Sequence, residues 1–373
     1  MITSVGATPA DCFDAFCLGV TGNKPLQAFN QKLFNITRTY EIADRGAEQI
    51  DVTGRATKWL CEVVNQAVKE AGLVSGKSRI AALIGTGLRE LRSLELWWAD
   101  GQPFNVSELH SANALQRTFP IPGPIITLSN ACAASSFALG LADDLLWLDE
   151  ADAVIVAGSD SISESMFGIG DRASMLRPER VQPFERERRG ALLGEGAAAI
   201  VLESSEHASR RGASPRALLH GVGMSCDAFH ETAPHQAGMV RAMIDALSRA
   251  GISPDSIDLL MAHGTGTTLN DQVEALAIRE VFGAGVARVL ISALKSMVGH
   301  TSGASGLVAT VTAIECMTQG RVPPTIGFNT PIDEAEGFDI VAGEARTGPI
   351  RTAQVNAFGF GGVNAVAILG RTT

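Results

Sequence analysis

The chain has 373 residues, 46% of them hydrophobic, enough to bury one large core or two fused ones. Its net charge of −10 is spread along the sequence with no basic stripe interleaved with aromatics, so nucleic acid is not an expected partner. Six cysteines without a CxxC pair or metal-ligand spacing argue against a disulfide framework or metal site, and no window approaches the roughly 18 apolar residues of a membrane span, so a reducing, cytoplasmic compartment and no membrane partner are expected.

The first clear helical pattern, TKWLCEVVNQAVKEAGL, carries apolar residues at three- and four-residue spacing and stops on Gly72. The apolar run RIAALIGTG (79–87) predicts a buried strand. A second, PIITLSN (124–130), runs through SNACAASS into the apolar-periodic FALGLADDLLWL, the pattern of a strand turning directly into a helix around Cys132. DAVIVAGSD (152–160) and AAAIVLE (197–203) predict two more strands, and the polar stretch 203–217 reads as a crossing between halves. Beyond it, QAGMVRAMIDALSRAGI predicts a helix stopping on Gly251, and LLMAHGTG, VLISAL, IVAGE and NAVAIL predict strands. The alternation is α/β patterning. A weak internal repeat, CAASSFALGLADDLLWL with TSGASGLVATVTAIECM and GEGAAAIVLE with GFGGVNAVAILG, points to duplication or to chance similarity of Ala/Gly-rich segments.

Small neighbours let a substrate approach the sulfur of Cys132, and the unpaired N–H groups and dipole of a helix start favour its thiolate. Small residues also pack ordinary cores, and free cysteine is a common buried residue, so both roles stand at this point. His263 and His300 follow apolar strands directly, at the ends where sites in open α/β sheets collect. His110, His207, His220 and His235 lack that setting and read as surface or capping residues, with His230 intermediate. Lys295, five residues before His300, and Glu274, eleven after His263, read as a structural charged pair or as site residues. The glycines at 359, 361 and 362 in NAFGFGGVNA suit a hairpin turn or a mobile loop whose phenylalanines gate a pocket.

Taken in order, NACAASS, HGTGT with Asp271 and Glu274 downstream, LKSMVGHTSGASG and NAFGFGGVNA resemble a β-ketoacyl-acyl carrier protein synthase. The likeness continues through PFERERRGALLGEGAAAIVLE and MSCDAFHETAP and covers nearly the whole chain. The resemblance implies a thiolase-like α/β fold of two duplicated halves in a five-layer α-β-α-β-α sandwich, residues 1–210 carrying the nucleophile and 211–373 the histidines and the gating loop. It implies decarboxylative Claisen condensation, in which Cys132 takes an acyl group and malonyl-carrier protein supplies the attacking enolate, in fatty acid or type II polyketide biosynthesis. The helix start would already activate the thiolate. Backbone N–H groups of Cys132 and Phe358 would form the oxyanion hole, with Phe358 as the gate on a loop completed by Gly359, Phe360, Gly361 and Gly362. By the same resemblance, His263 and His300 are neutral N–H donors to the malonyl thioester, and Lys295 and Glu274 a charged pair beneath them. Thr265 and Thr267 line the pantetheine route, Asp227 and His230 sit in the segment that contacts the glycine loop, and Arg172 meets the acidic carrier. The implied partners are acyl- and malonyl-loaded acyl carrier protein and a second identical or homologous subunit. No tightly bound cofactor and no metal are expected, phosphopantetheine arriving on the carrier.

The sequence departs from the family pattern in four places. Few residues precede Ser4, so a shortened first strand is expected, and the Tyr40–Lys58 stretch offers only Arg45, Arg55 and Lys58 where some relatives carry a basic run. Trp97 and Trp98 are expected to be buried in packing, and Asn130 stands where the family has threonine. His300 in VGHTSGASG argues against a two-cysteine thiolase and a Cys-His-Asn enzyme, and Cys132 against an inactive chain-length subunit. The alternatives left are the catalytic subunit of a ketosynthase/chain-length-factor heterodimer and an acyl-thioester transferase or hydrolase using the same cysteine.

Overall fold

The computed structural model describes residues 1–46, 51–74, 78–174 and 176–372. Two mixed sheets form its frame. The first holds β1 (Ile2–Thr3), β2 (Ile80–Gly85), β3 (Ile125–Leu128), β4 (Ala153–Asp160) and β5 (Gly196–Glu203), in the order β1-β5-β4-β2-β3. The second holds β6 (Ala217–Cys226), β7 (Leu259–Met261), β8 (Leu290–Ser292), β9 (Asp339–Ile340), β10 (Thr352–Gly359) and β11 (Val363–Arg371), in the order β9-β8-β7-β10-β11-β6. Set β9 aside and the orders coincide: first strand, fifth, fourth, second, third. The senses coincide as well. β3-β2-β4 and β8-β7-β10 are parallel, whereas β4–β5, β10–β11, β1–β5 and β6–β11 are antiparallel. The weak sequence repeat therefore reflects a repeated fold.

Every residue of β2 and β4 is buried, as near-continuous Ala/Ile/Leu/Val runs require when a parallel strand is covered on both faces. One cover is a middle layer of two helices that follow equivalent strands, Ala134–Trp147 after β3 and Ser305–Gln319 after β8. Small residues let them lie close to the strands: a Cβ added at Gly85 would come within 2.5 Å of the Ala134 carbonyl carbon. Outside, helix Arg55–Ala71 covers the first sheet with Trp59, Leu60, Val63 and Val64, and helices Gln236–Ala250 and Thr268–Phe282 cover the second. Each of these fully buried side chains contributes roughly 1.5–3 kcal/mol of transfer free energy. The result is the five-layer α-β-α-β-α sandwich of the thiolase-like fold. No helix among the described residues is long and apolar enough to cross a membrane, and no group of three or more His, Cys, Asp or Glu among them is arranged to hold a metal ion.

The structure departs from the sequence reading at several elements. β6 and β10 are full-length strands where none was expected, and IVAGE contributes only Ile340 to β9. Trp97 and Trp98, on helix Leu91–Asp100, are 42% and 80% exposed rather than buried. Arg45 and Arg55 are buried in an ion network with Glu41, Asp44, Asp51 and Glu195, Arg55 lying 2.8 Å from Glu195, so of the three cations expected there only Lys58 faces solvent. A buried guanidinium persists only when its donors are matched in this way.

Candidate active site

The site collects at the carboxyl ends of the strands, where the turns after β3, β7 and β8 meet the β10–β11 turn. After β3 the chain reverses sharply at Ala131, a non-glycine residue at φ +47°. A 3-10 turn over Ala131–Ala133 carries Cys132, and the middle-layer helix begins at Ala134. Strain of this kind persists where surrounding packing fixes it. Here Gly359 supplies the packing, since a Cβ on it would lie 3.2 Å from the Cys132 nitrogen. After β8 the same turn recurs at Ser302, also at φ +47°, with a 3-10 turn over Ser302–Ala304.

His263 and His300 are buried, their rings edge-to-face with centroids 5.5 Å apart. Hydrogen bonding fixes both tautomers. Lys295 Nζ lies 3.3 Å from His263 Nδ1, and the Ser302 N–H donates to His300 Nδ1 at 3.2 Å, where Ser305 Oγ also lies 3.2 Å away. Each Nδ1 is therefore an acceptor, leaving Nε2–H as the free donor. Burial first, and then the Lys295 charge, lowers both imidazoles, His300 to about 3 and His263 well below its ordinary value, so both are neutral at physiological pH. Lys295 is itself lowered to about 8 by burial, with Glu274 and Cys132 pulling the other way.

Lys295 and Glu274 are charged neighbours that act on each other without a direct contact. Lys295 donates to the His263 carbonyl, while Glu274 accepts the His263 and Gly264 N–H groups, both at 2.8 Å, and the Asn356 amide at 3.2 Å. The two grip the same backbone from opposite sides. Asp271 does likewise one turn on, accepting from Thr265 N–H at 3.0 Å and Phe184 N–H at 2.8 Å. The hydroxyls of Thr265 and Thr267 meet at 2.8 Å, the first buried and the second half-buried.

Phe358 does not stand on the glycine turn where the expected gate would sit. It pairs with Asn364 inside the β10–β11 ladder, is buried, and sets its ring edge against His263 with centroids 5.8 Å apart. The ladder closes at Gly359 with Val363, so Phe360 rides the connecting turn, 58% exposed, and its N–H points at the Cys132 sulfur. Gly361 and Gly362 hold the turn at φ +81° and +75°. Asp227 braces it: its N–H donates to the Gly362 carbonyl at 2.9 Å, and its carboxylate accepts from Asn364 and, at 3.2 Å, from Arg241. His230 does not reach the site. It is exposed and uses Nδ1 to accept from Thr232 and Ala233 in its own loop, which touches the glycine turn through the Glu231 carbonyl instead.

Burial opposes the activated thiolate expected of the helix start. Cys132 is partly buried, and desolvation pushes its thiol up to about 11 against the opposing pull of Lys295 and the Phe360 N–H. Arg172 is exposed in the last turn of helix Glu164–Ala173. Nothing in the structure explains Asn130 in place of threonine. The sequence reading missed Asp160, buried at the end of β4, and the amide pair Gln354–Asn356, bonded at 2.9 Å. The signal available for both was a polar side chain inside an otherwise apolar strand.

Comparison with known proteins returns a consistent set of relatives. The profile described as "Beta-ketoacyl synthase, N-terminal domain" matches residues 22–208, and "Beta-ketoacyl synthase, C-terminal domain" matches 216–329. The chain is 31% identical over 405 residues to "3-oxoacyl-[acyl-carrier-protein] synthase 2" of Coxiella burnetii (strain RSA 493 / Nine Mile phase I), covering 100% of this chain and 96% of the other. It is 35% identical over 317 residues to "Nodulation protein E" of Rhizobium meliloti (strain 1021), covering 81% and 79%. Among solved structures, "The ishigamide ketosynthase/chain length factor" superposes with a TM-score of 0.90 at 31% identity, covering 100% of this chain and 97% of the other. A β-ketoacyl synthase from Burkholderia phymatum STM815 does so at 0.87 and 26%, with the same coverages.

Proposed function

The chain belongs to the β-ketoacyl synthase family, acyltransferases that form carbon–carbon bonds, and from that premise we propose that Cys132, His263 and His300 carry the reaction. Cys132 gives up its proton and attacks an acyl thioester brought by a carrier protein, releasing the carrier's thiol. The N–H groups of Cys132 and Phe360 are the oxyanion donors for the tetrahedral species. Malonyl-carrier protein then enters past Thr265 and Thr267. Its thioester oxygen takes two N–H donors, Nε2 of His263 and of His300, so that loss of carbon dioxide leaves an enolate already stabilised. The enolate carbon attacks the acyl carbonyl, and collapse returns the sulfur and releases the β-ketoacyl carrier.

The observation that carries this reading is the pair of buried, neutral imidazoles with both Nδ1 atoms occupied. A cationic imidazole would also donate, but at the cost of a second positive charge beside Lys295. One oxyanion-type donor contributes about 2.7–4 kcal/mol to the barrier reduction, so two account for a large part of it. Incubation with acyl-carrier protein should add the acyl mass to Cys132, and ketoacyl product should form only with malonyl-carrier protein. Free acid released without malonyl substrate would favour a hydrolase instead.

The name of the Coxiella relative supports an acyl carrier protein as partner, met by the exposed Arg172 and its neighbours Arg177 and Arg180. Strand β3 has one paired edge, and Ile126 on it is 39% exposed, which favours a subunit interface there. The 31% identity to a ketosynthase/chain length factor favours a homologous partner as much as an identical copy. A cytoplasmic setting and either fatty acid or polyketide biosynthesis complete the reading.

A further inference from the structure

A further buried carboxylate lies near the nucleophile turn, outside the residues assigned above. Asp160 ends β4 and is 0% exposed. Its Oδ1 accepts from the Thr86 hydroxyl at 2.6 Å and the Leu88 N–H at 2.7 Å; its Oδ2 accepts from the Gly87 N–H at 2.9 Å and the Gly303 N–H at 2.7 Å. Three donors come from the turn after β2, in the first half of the chain, and the fourth from the Ser302 turn, in the second. The Thr86 hydroxyl accepts in turn from the Arg89 N–H at 2.7 Å, and Arg89 sits at φ +53°.

The two turns meet without spare room. A Cβ on Gly303 would come within 2.6 Å of the Thr86 carbonyl carbon, and one on Gly87 would lie 3.3 Å from the Gly303 nitrogen and 3.6 Å from the Ala131 carbonyl oxygen. One carboxylate thus ties the 86–88 turn, whose Gly87 faces the Ala131 carbonyl, to the turn that supplies His300 with its Nδ1 partner. Electrostatics does not account for it, because the Asp160 charge disfavours a Cys132 thiolate. Nor does burial, which pushes the Asp160 carboxyl up to about 6 even with four donors pulling it down. Geometry does: only an ionised carboxylate offers acceptors enough for four converging donors.

We propose that Asp160 is a positioning residue for the condensation: by anchoring Gly303 to the 86–88 turn it fixes the Ser302 N–H that keeps His300 in its Nε2–H tautomer, aimed at the malonyl thioester. The role assigned to His300 rests on the reading given under Proposed function. Asp160→Asn tests the anchor, since the amide keeps the size but sets an NH2 against an N–H donor. Displacement of a catalytic group on the scale of 1 Å costs about 100-fold, so the decarboxylation kcat of Asp160→Asn should fall by about that factor with KM changed less than about twofold. In protein labelled with 15N-histidine, the His300 signals should change from a single Nε2–H form to a mixture of tautomers. Wild-type signals or a wild-type kcat would overturn the proposal. If Asp160→Asn does not fold, Thr86→Val removes one donor isosterically. It should produce the same spectral change with a fall of about tenfold, roughly the loss of one hydrogen bond to a charged group, and an unchanged spectrum would be equally fatal. The tautomer signal is independent of turnover. If His300→Ala released carbon dioxide at the wild-type rate, the catalytic reading would fail while the anchoring claim would still be decided by the spectrum.

Discussion

The turns at the heads of the two middle-layer helices invite comparison. Ala131 and Ser302 share φ +47°, each begins a 3-10 turn of three residues, and each leads into a buried helix that follows an equivalent strand. The residue after the strained one is Cys132 in the first turn and Gly303 in the second, where a side chain would strike Thr86. The second turn instead delivers His300, two residues earlier, with Nδ1 held by the Ser302 N–H. The two mounts are equivalent in backbone, and at Cys132 a neighbouring turn, at Phe360, brings an N–H to the mounted atom.

Removing the nucleophile is the largest blow to this asymmetry. Cys132→Ala should abolish acyl loading, seen by intact mass, and lower condensation by at least about 10⁴-fold. A cysteine put in the other turn at the counterpart of Ala131, as Ser302→Cys in the Cys132→Ala background, because the counterpart of Cys132 is the crowded Gly303, should not restore loading. Loading at position 302 would mean that the backbone turn alone makes a nucleophile site. Next in size are the imidazoles. His300→Ala and His263→Ala should each keep acyl loading yet lose about 10²–10³-fold in carbon dioxide release, the effect of deleting one oxyanion-type donor. Equal loss of loading in either variant would give that histidine a part in activating the sulfur.

A third measurement asks whether the first turn activates its cysteine at rest. The folded thiol is raised to about 11, so it stays protonated until well above neutrality. Alkylation of Cys132 by iodoacetamide should therefore accelerate about tenfold per pH unit from pH 7 and level off only near 11. A rate already flat at pH 8 would mean that the helix start outweighs burial. The expected slope implies that the incoming thioester, rather than the resting site, triggers loss of the proton.

Much of this was legible in the sequence because it is local. Cys132 sits where an apolar run meets an apolar-periodic one, His263 follows its strand directly whereas the helical turn Lys295–Val298 separates His300 from β8, and the helix stops at Gly72 and Gly251 are left-handed caps at φ +60° and +66°. What was misread depends on distant partners or on where a strand ends. Phe358 and Phe360 are alike in sequence, and only the register Gly359 with Val363 decides that the first lies within the ladder and the second on the turn. β10 carries buried Gln354 and Asn356, whose partners are each other and Glu274, so its polarity hid a core strand. Arg55 looks like a surface cation until Glu195, 140 residues away, is brought to 2.8 Å. Asp160 is the same case, its four donors lying more than 70 residues off.

The smallest expected effect separates the two sides of the contact between the halves. Gly303 and Gly87 face each other, but their surroundings differ. At Gly303 an added methyl group meets backbone at 2.6 Å, atoms that can move only by shifting the whole 86–88 turn against Asp160. At Gly87 the nearest atoms stand at 3.3 Å, one of them the Ser302 Cβ, and a displacement of a few tenths of an ångström relieves the crowding. Gly303→Ala should therefore lower stability by about 2–3 kcal/mol and Gly87→Ala by less than about 1 kcal/mol, measured by urea unfolding with unchanged slope. Equal losses would mean that the 86–88 turn yields as easily as a side chain does, and a turn that soft could not hold the Ser302 N–H on His300.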